Sequence, residues 1–148
     1  MPNPGKLSRK QTEYLNARPV GRYAQLGRDG AVFVTPLCHV VSAGNVFIST
    51  ERGTWKVRSL KPGSVAAYVV DEYFDDWDQN RGVQVRGPVE IVEGGPEYRR
   101  AKRLHLMKFP QFETFEWDDK ETVVLKILPE RVTAWGLDRW ERGAWPGA

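Results

Sequence analysis

The stretch from Thr50 to Leu60, TERGTWKVRSL, sets two hydroxyl residues, Thr50 and Thr54, beside two cations, Lys56 and Arg58. It follows the strand-like run NVFIS and ends at Lys61-Pro62-Gly63. Thr50 therefore falls at a strand end and Thr54 at the N-cap of a short helix running to about Leu60, with Lys56 and Arg58 in its first turns. Hydroxyls, free backbone N–H groups and two cations around one point suit a phosphate. The same residues also make an ordinary solvated basic helix, and spacing alone leaves both readings open.

Other chemistries lack their parts. The sequence has no Cys/His cluster at zinc spacing, no G-x-S-x-G, no Walker loop and no G-x-G-x-x-G, so the standard hydrolase, NTPase and doubly wound dinucleotide readings have nothing to stand on. His39, in an apolar strand, and His105, in a Lys/Arg-rich helix, are the two candidate bases near neutral pH; for each a structural or surface role outweighs catalysis. Asp75, Asp76 and Asp78 do not have EF-hand spacing and read as a solvated acidic loop, so no metal site is expected.

The elements that must position these residues read as mainly β. Ser8-x-x-Gln11 has the form of a capping box and opens a helix over about 8–16, which Arg18-Pro19 ends. GRYAQLG, the turn Arg28-Asp29-Gly30 and AVFVTPLCHVV form a hairpin; Ser42 to Asn45 turns into the next strand, VFIST. SVAAYVVD reads as a buried strand, EYFDDWDQN as a loop, and GVQVRGPVEIVEG as a strand with a bulge or bend at Gly87-Pro88. A helix opens at Gly94-Gly95-Pro96-Glu97, with Tyr98, Ala101, Leu104 and Met107 near one face. Phe109-Pro110 stops it, a connecting segment with one possible helical turn follows, and TVVLKILPERVTAWGL supplies a final strand and a short addition. Five to seven strands with small inserted helices imply an antiparallel α+β barrel, mainly β.

Size and charge narrow the setting. A chain of 148 residues suits one domain with its own core. Its 22 basic and 19 acidic residues are scattered, which argues only weakly for a polyanionic partner such as nucleic acid and fits a small anionic ligand as well; no nucleic acid partner is expected. The single cysteine, Cys38, cannot form an intrachain disulfide and fits a reducing, cytoplasmic setting. No secretory signal and no run of about 18 uncharged apolar residues is present, so no membrane association is expected. Six Trp and five Tyr can serve a core, a subunit interface or a ring-stacking ligand.

The order of GRYAQLGRDGAVFVTPLCHVV, VFISTERGTWKVRSLKPGSVAAYVVD, DDWDQNRGVQVRGPVEIVE and VVLKILPERVTAWGL resembles the pyridoxamine 5′-phosphate oxidase-like superfamily of split β-barrels, over roughly Arg22 to Leu137. That superfamily includes FMN-binding members and relatives that use the deazaflavin F420. The resemblance implies a split barrel of antiparallel strands with short peripheral helices over about 22–137, a tail over 138–148, and one flavin-binding domain over 1–148. It places a cofactor phosphate on Thr50 and Lys56, with Thr54 and Arg58 beside them, and lays Val34, Thr35, Pro36 and Leu37 along the flavin ring. It further implies a homodimer whose shared pockets are completed by the partner, with the loop Asp76-Trp77 and the strand Arg81 to Gly87, and with Trp77 or Trp135 shielding a ring face. The implied activity is an FMN-dependent oxidoreductase of a small molecule. An F420-dependent reductase is the alternative, with Arg52 and Arg58 toward the cofactor's anionic tail, and a non-enzymatic flavin or haem carrier is a third. The cofactor carries electrons and hydride, so no catalytic side chain is assigned. Two departures matter: Gly82 stands where the true oxidases have a flavin-contacting Gln, and LDRWERGAWPGA stands in place of their C-terminal region with basic residues for the vitamin's phosphate, so vitamin B6 oxidation is not implied.

Overall fold

The computed structural model describes residues 3–141, and the last part of the expected tail, 142–148, lies outside the described residues. Helix α1 (Arg9–Ala17) starts as the capping box requires: Gln11 N–H donates to Ser8 Oγ at 3.1 Å and Ser8 N–H donates to Gln11 Oε1 at 2.8 Å. Its buried side is Tyr14 and Leu15. The hairpin of β2 (Val20–Leu26) and β3 (Val32–Ser42) closes through Gly27 N–H to Ala31 O at 2.7 Å, with Gly30 at φ +82. Ala43 and Gly44, at φ +52 and +80, turn β3 into β4 (Asn45–Glu51), the mirror-image turn that suits twisted hairpins.

After α2 (Trp55–Arg58) come β5 (Val65–Glu72), a 3₁₀ turn at Trp77–Gln79 and β6 (Arg81–Val92). Helix α3 (Gly95–Lys108) and a 3₁₀ turn at Pro110–Glu113 lead to β7 (Thr122–Ile127) and β8 (Arg131–Trp135). The expected final strand is thus two strands, separated at Leu128 to Glu130. A two-residue β1 (Asn3–Pro4) pairs with β8, so the described residues hold eight strands where five to seven were expected.

All pairings are antiparallel, and β6, β5, β2, β3, β4 and β7 close on themselves through β6–β7. The fold is the expected split barrel, α+β and mainly β. Alternation fills its interior with Tyr23, Ile48, Tyr68, Val70, Val83, Val85, Leu125 and Ile127, and α1 joins the same core through Tyr14 and Leu15. Closure depends on β6, whose outer edge pairs with β8 over Gly82–Arg86 and with β7 over Val89–Val92. Gly87-Pro88, expected as a bulge or bend, is the point where the partner on that edge changes; no extra residue enters the pairing with β5, which is regular up to Pro88. A Cβ at Gly87 would fall on the Leu128 carbonyl, so the crossing of β7 to β8 demands glycine there.

Helix α3 covers the outer face of β3, β4 and β7, packing Tyr98, Ala101, Phe109 and Trp117 on Val40, Phe47 and Val124. Its buried positions are Tyr98, Ala101 and His105, not Met107, which is 75 % exposed. At about 100° per residue, residue 105 returns to the side of Tyr98 whereas residue 107 lies opposite.

Candidate functional site

The splitting of β3 from β4 creates the site. The two strands pair only over His39–Ser42; from there β4 follows β7 to Glu51, while Val32 to Cys38 stays with β2. Among the described residues, Val32 to Leu37 is thus paired on one edge only. Helix α2 follows β4 into this gap. Val57 and Leu60 pack on the barrel core, and the Trp55 ring stands edge-on to Phe33 with centroids 3.8 Å apart. Trp55 also rests on Gly27, where a Cβ would come within 2.5 Å of the ring. Gln25, buried on the inward side of β2, ties the helix down: Nε2 donates to Lys56 O at 3.1 Å and Oε1 accepts from the Tyr23 hydroxyl at 2.5 Å.

Thr50, Thr54, Lys56 and Arg58 follow one another along the end of β4 and α2, and the Trp55–Phe33 contact brings α2 to β3 one residue before Val34. Thr50 is buried at the close of β4, on the inward side with Val46 and Ile48. Thr54 takes the N-cap position, but its hydroxyl donates to Glu51 O at 2.7 Å and caps no helix N–H. Lys56 is half-buried, and among the described residues no carboxylate lies within ion-pair distance of it; burial lowers its pKa, with Glu51 opposing. Arg58 is exposed, and its carbonyl accepts from the Arg28 guanidinium. Val34 and Pro36 face outward and are exposed; Thr35 and Leu37 are half-buried, with Leu37 O accepting from the Tyr68 hydroxyl at 2.6 Å.

Other expected residues lie elsewhere. Trp77 is 81 % exposed between β5 and β6. Because Ala66 pairs with Gln25 and β5 runs on to Glu72 before that loop, Trp77 stands six residues of strand away from α2, about 20 Å at roughly 3.3 Å per residue. Within one chain it cannot share a pocket with Lys56. Trp135 lies on Gly82, where its ring fills the space of a Cβ. Arg52 donates to Lys120 O at 3.0 Å and pairs with Glu93, so it is not free for an anionic tail.

Both histidines are core residues. The carbonyl of Leu15 can only accept, so the His39 nitrogen 2.6 Å from it, Nε2, carries the hydrogen, and Nδ1 shares the one Tyr68 hydroxyl proton with Leu37 O, each acceptor lying 2.6 Å from the hydroxyl oxygen. Burial, reinforced by Lys108, lowers the His39 pKa to about 3; His105, with Nδ1 donating to Ala101 O at 2.8 Å, is lowered by burial to about 4. Among the described residues no group of His, Cys, Asp and Glu could hold a metal ion, and no helix is long and apolar enough to cross a membrane. Gln25, Gly27 and Phe33, which seat α2, were not singled out from sequence; the clue for Gln25 was a polar residue at an inward position, two after Tyr23.

A family model for pyridoxamine 5′-phosphate oxidase matches residues 9–135. Among curated proteins none matches the chain. Solved structures share the fold at low identity. The FAD binding protein from Mycobacterium smegmatis is 22% identical at a TM-score of 0.64, over 86% of this chain and 95% of that one. An F420 reductase is 23% identical at a TM-score of 0.61, over 82% and 94%. HutZ, the haem storage protein from Vibrio cholerae, is 12% identical at a TM-score of 0.70, over 86% and 94%. These three neighbours share one fold and are named for three different ligand classes.

Proposed function

The chain belongs to the pyridoxamine 5′-phosphate oxidase family, and from that premise we propose that it is a homodimeric flavin-dependent oxidoreductase of a small molecule, with FMN as cofactor. The observation that carries this reading is Lys56: a half-buried cation without a carboxylate partner, beside the strand segment Val32–Leu37 whose backbone edge is open. A half-buried cation on which Glu51 acts without forming an ion pair has room for an added anion. An open strand edge offers N–H and C=O groups to the polar rim of a planar ring. Lys56, Arg58 and the Thr50 hydroxyl would hold the phosphate, and Val34 to Leu37 would line the ring. When bound, the flavin supplies the hydride and electron transfer, leaving the chain to grip, orient and exclude water.

The dimer is supported by a bare apolar surface. Leu26, Val32, Val34 and Val65 are exposed on adjoining strands β2, β3 and β5, on the barrel face that α3 does not cover. Trp77, too far from Lys56 of its own chain, would complete the pocket of the partner. Gly82 under Trp135 leaves no side chain for the flavin contact of the vitamin B6 oxidases, so a different substrate is proposed. A haem carrier is disfavoured because the two histidines of the chain are buried and hydrogen-bonded in the core.

Titration of ligand-free protein with FMN, F420 and haemin tests the proposal. FMN is expected to bind, and Lys56→Ala to weaken it by about 1.5–3 kcal/mol, roughly ten- to 150-fold. Binding of F420 with indifference to FMN would move the assignment to the deazaflavin reductases. FMN binding with no reduction by any nicotinamide donor and no turnover of test acceptors would make the protein a carrier.

A further inference from the structure

A second cleft lies on the outer side of α3. Tyr98, Arg99, Lys102, Arg103, Leu106, Met107 and Asp119 line a cavity of about 490 Å³. Its exposed apolar groups are Leu106, at 43 %, and Met107. Arg99 and Arg103 are one helical turn apart, about 6 Å along the axis, on the same flank. The nearby acids already have partners: Asp119 Oδ1 accepts from Lys102 Nζ at 2.9 Å, which holds its carboxyl below the usual range, and Glu97 pairs with Lys126 at 2.8 Å. Among the described residues neither Arg99 nor Arg103 pairs with a carboxylate.

The cleft has a firm floor. The Tyr98 hydroxyl donates to Thr122 O at 2.9 Å and accepts from Trp117 Nε1 at 2.9 Å, and Trp117 is buried among His105 and Phe112. On its far side Met107 also borders a cavity of about 330 Å³ with Val40, Val41, Leu104 and Lys108. Lys108 there is already occupied, donating to His39 O at 2.8 Å and Leu15 O at 3.4 Å. The two hollows therefore share the flexible Met107 thioether, with two guanidinium groups lining the first and Val40, Val41 and Leu104 lining the second beside Asn16 and Lys108.

We propose that this groove binds a small anionic amphiphile, a single carboxylate or phosphate monoester on an aliphatic body, with the acid on Arg99 and Arg103 and the body over Leu106 and Met107. Guanidinium pairs suit a bidentate oxyanion. A concave, largely apolar wall would be wasted on a nucleic acid backbone, which needs a long charged stripe. The groove is formed by α3, not by α2 and the open edge of β3, so binding is expected with or without flavin.

Displacement of 11-dansylundecanoate from the full chain tests this. Dodecanoate and dodecyl phosphate, below their micellar concentrations, are expected to compete in the micromolar range, with dodecanol at least about tenfold weaker, a difference of about 1.4 kcal/mol. Arg99→Gln with Arg103→Gln should abolish that preference for the acids, and Met107→Asp should weaken all three ligands, each variant keeping the circular dichroism of the parent. Equal affinity for dodecanol and dodecanoate, or unchanged preference in the double variant, would overturn the proposal. So would binding confined to phosphatidylglycerol vesicles, or tighter binding of a short RNA than of dodecanoate.

Discussion

Lys56 enters the ligand-free site with a depressed pKa because burial penalises its charged form. An anion bound beside it favours the charged form and raises that pKa, so binding and proton uptake are linked. FMN affinity is therefore flat at pH values below the free-state pKa of Lys56 and falls above it, by up to about tenfold per pH unit until the pKa of the complex is reached. Titrations between pH 7 and 10 should show the fall, and Lys56→Arg, whose charge persists, should remove it; identical pH profiles would disconnect Lys56 from the phosphate. Gly82 makes a second prediction. The Trp135 ring lies where its Cβ would stand, so restoring the family's Gln by Gly82→Gln overpacks the β6–β8 contact and costs about 1–3 kcal/mol. Trp135→Ala in the same chain should recover part of that loss in thermal unfolding. The glycine was visible in the sequence as a departure; that a tryptophan 53 positions on fills its place was not, because only the β6–β8 register joins Gly82 to Trp135.

Helix α2 has four residues, too few to hold itself in water. Its place is set by the Trp55–Phe33–Gly27 contact and by the Gln25 amide linking Tyr23 to the Lys56 carbonyl. Gln25→Leu leaves a hydroxyl and a carbonyl unpaired, an expected loss of about 1–3 kcal/mol. If α2 positions Lys56, the same variant should speed amide exchange over residues 54–60 and weaken FMN; exchange unchanged there would detach the amide from the helix. Locally coded elements were legible in the sequence: the Ser8 box, the Gly30 turn, the Ala43-Gly44 hairpin and the start of α2 at Thr54 rest on short-range rules and appear where those rules put them. The strand end at Thr50 and the short helix carrying Lys56 and Arg58 were legible for the same reason, since Thr50 to Arg58 is one continuous stretch; their phosphate role is a proposal. What failed depended on distant partners. Gly87-Pro88 was read as a bulge or bend, and the exchange of β8 for β7 found there forms only once the barrel closes. Met107 was read near one face with Tyr98, Ala101 and Leu104, but steps of three residues drift by about 60° each, so it ends opposite Tyr98 and His105 takes the buried position.

The whole barrel has two unlike outer faces, one sheathed by α3 and one bare across β2, β3 and β5. If the bare face is the subunit contact, Leu26→Lys with Val34→Lys should leave a folded monomer in sedimentation, with FMN affinity reduced because Trp77 of the partner is lost; a wild-type monomer at every concentration would end the shared-pocket reading. The core also sets the acid limit of the fold, through His39 and His105. His39 is enclosed by Leu15 O, the Tyr68 hydroxyl, Lys108 and His105; His105 lies against Ala101 O, Lys108, Phe109 and Trp117. Burial holds their folded pKa values at about 3 and about 4, below the ordinary 6.5 of an unfolded chain. As pH falls below about 6.5 the unfolded chain takes up both protons and the folded chain neither, so stability drops by about 2.7 kcal/mol per pH unit from these two groups until His105 begins to titrate in the fold near pH 4. Above about 6.5 both are neutral in either state and the contribution is constant. His105→Leu keeps the apolar packing and removes one proton from that balance. Urea unfolding at pH 7, 6 and 5 should therefore show a pH dependence shallower by about 1.4 kcal/mol per unit in the variant than in the parent. Carboxylates titrate alike in both chains and cancel in the difference, so parallel pH dependences would mean that His105 is protonated inside the fold.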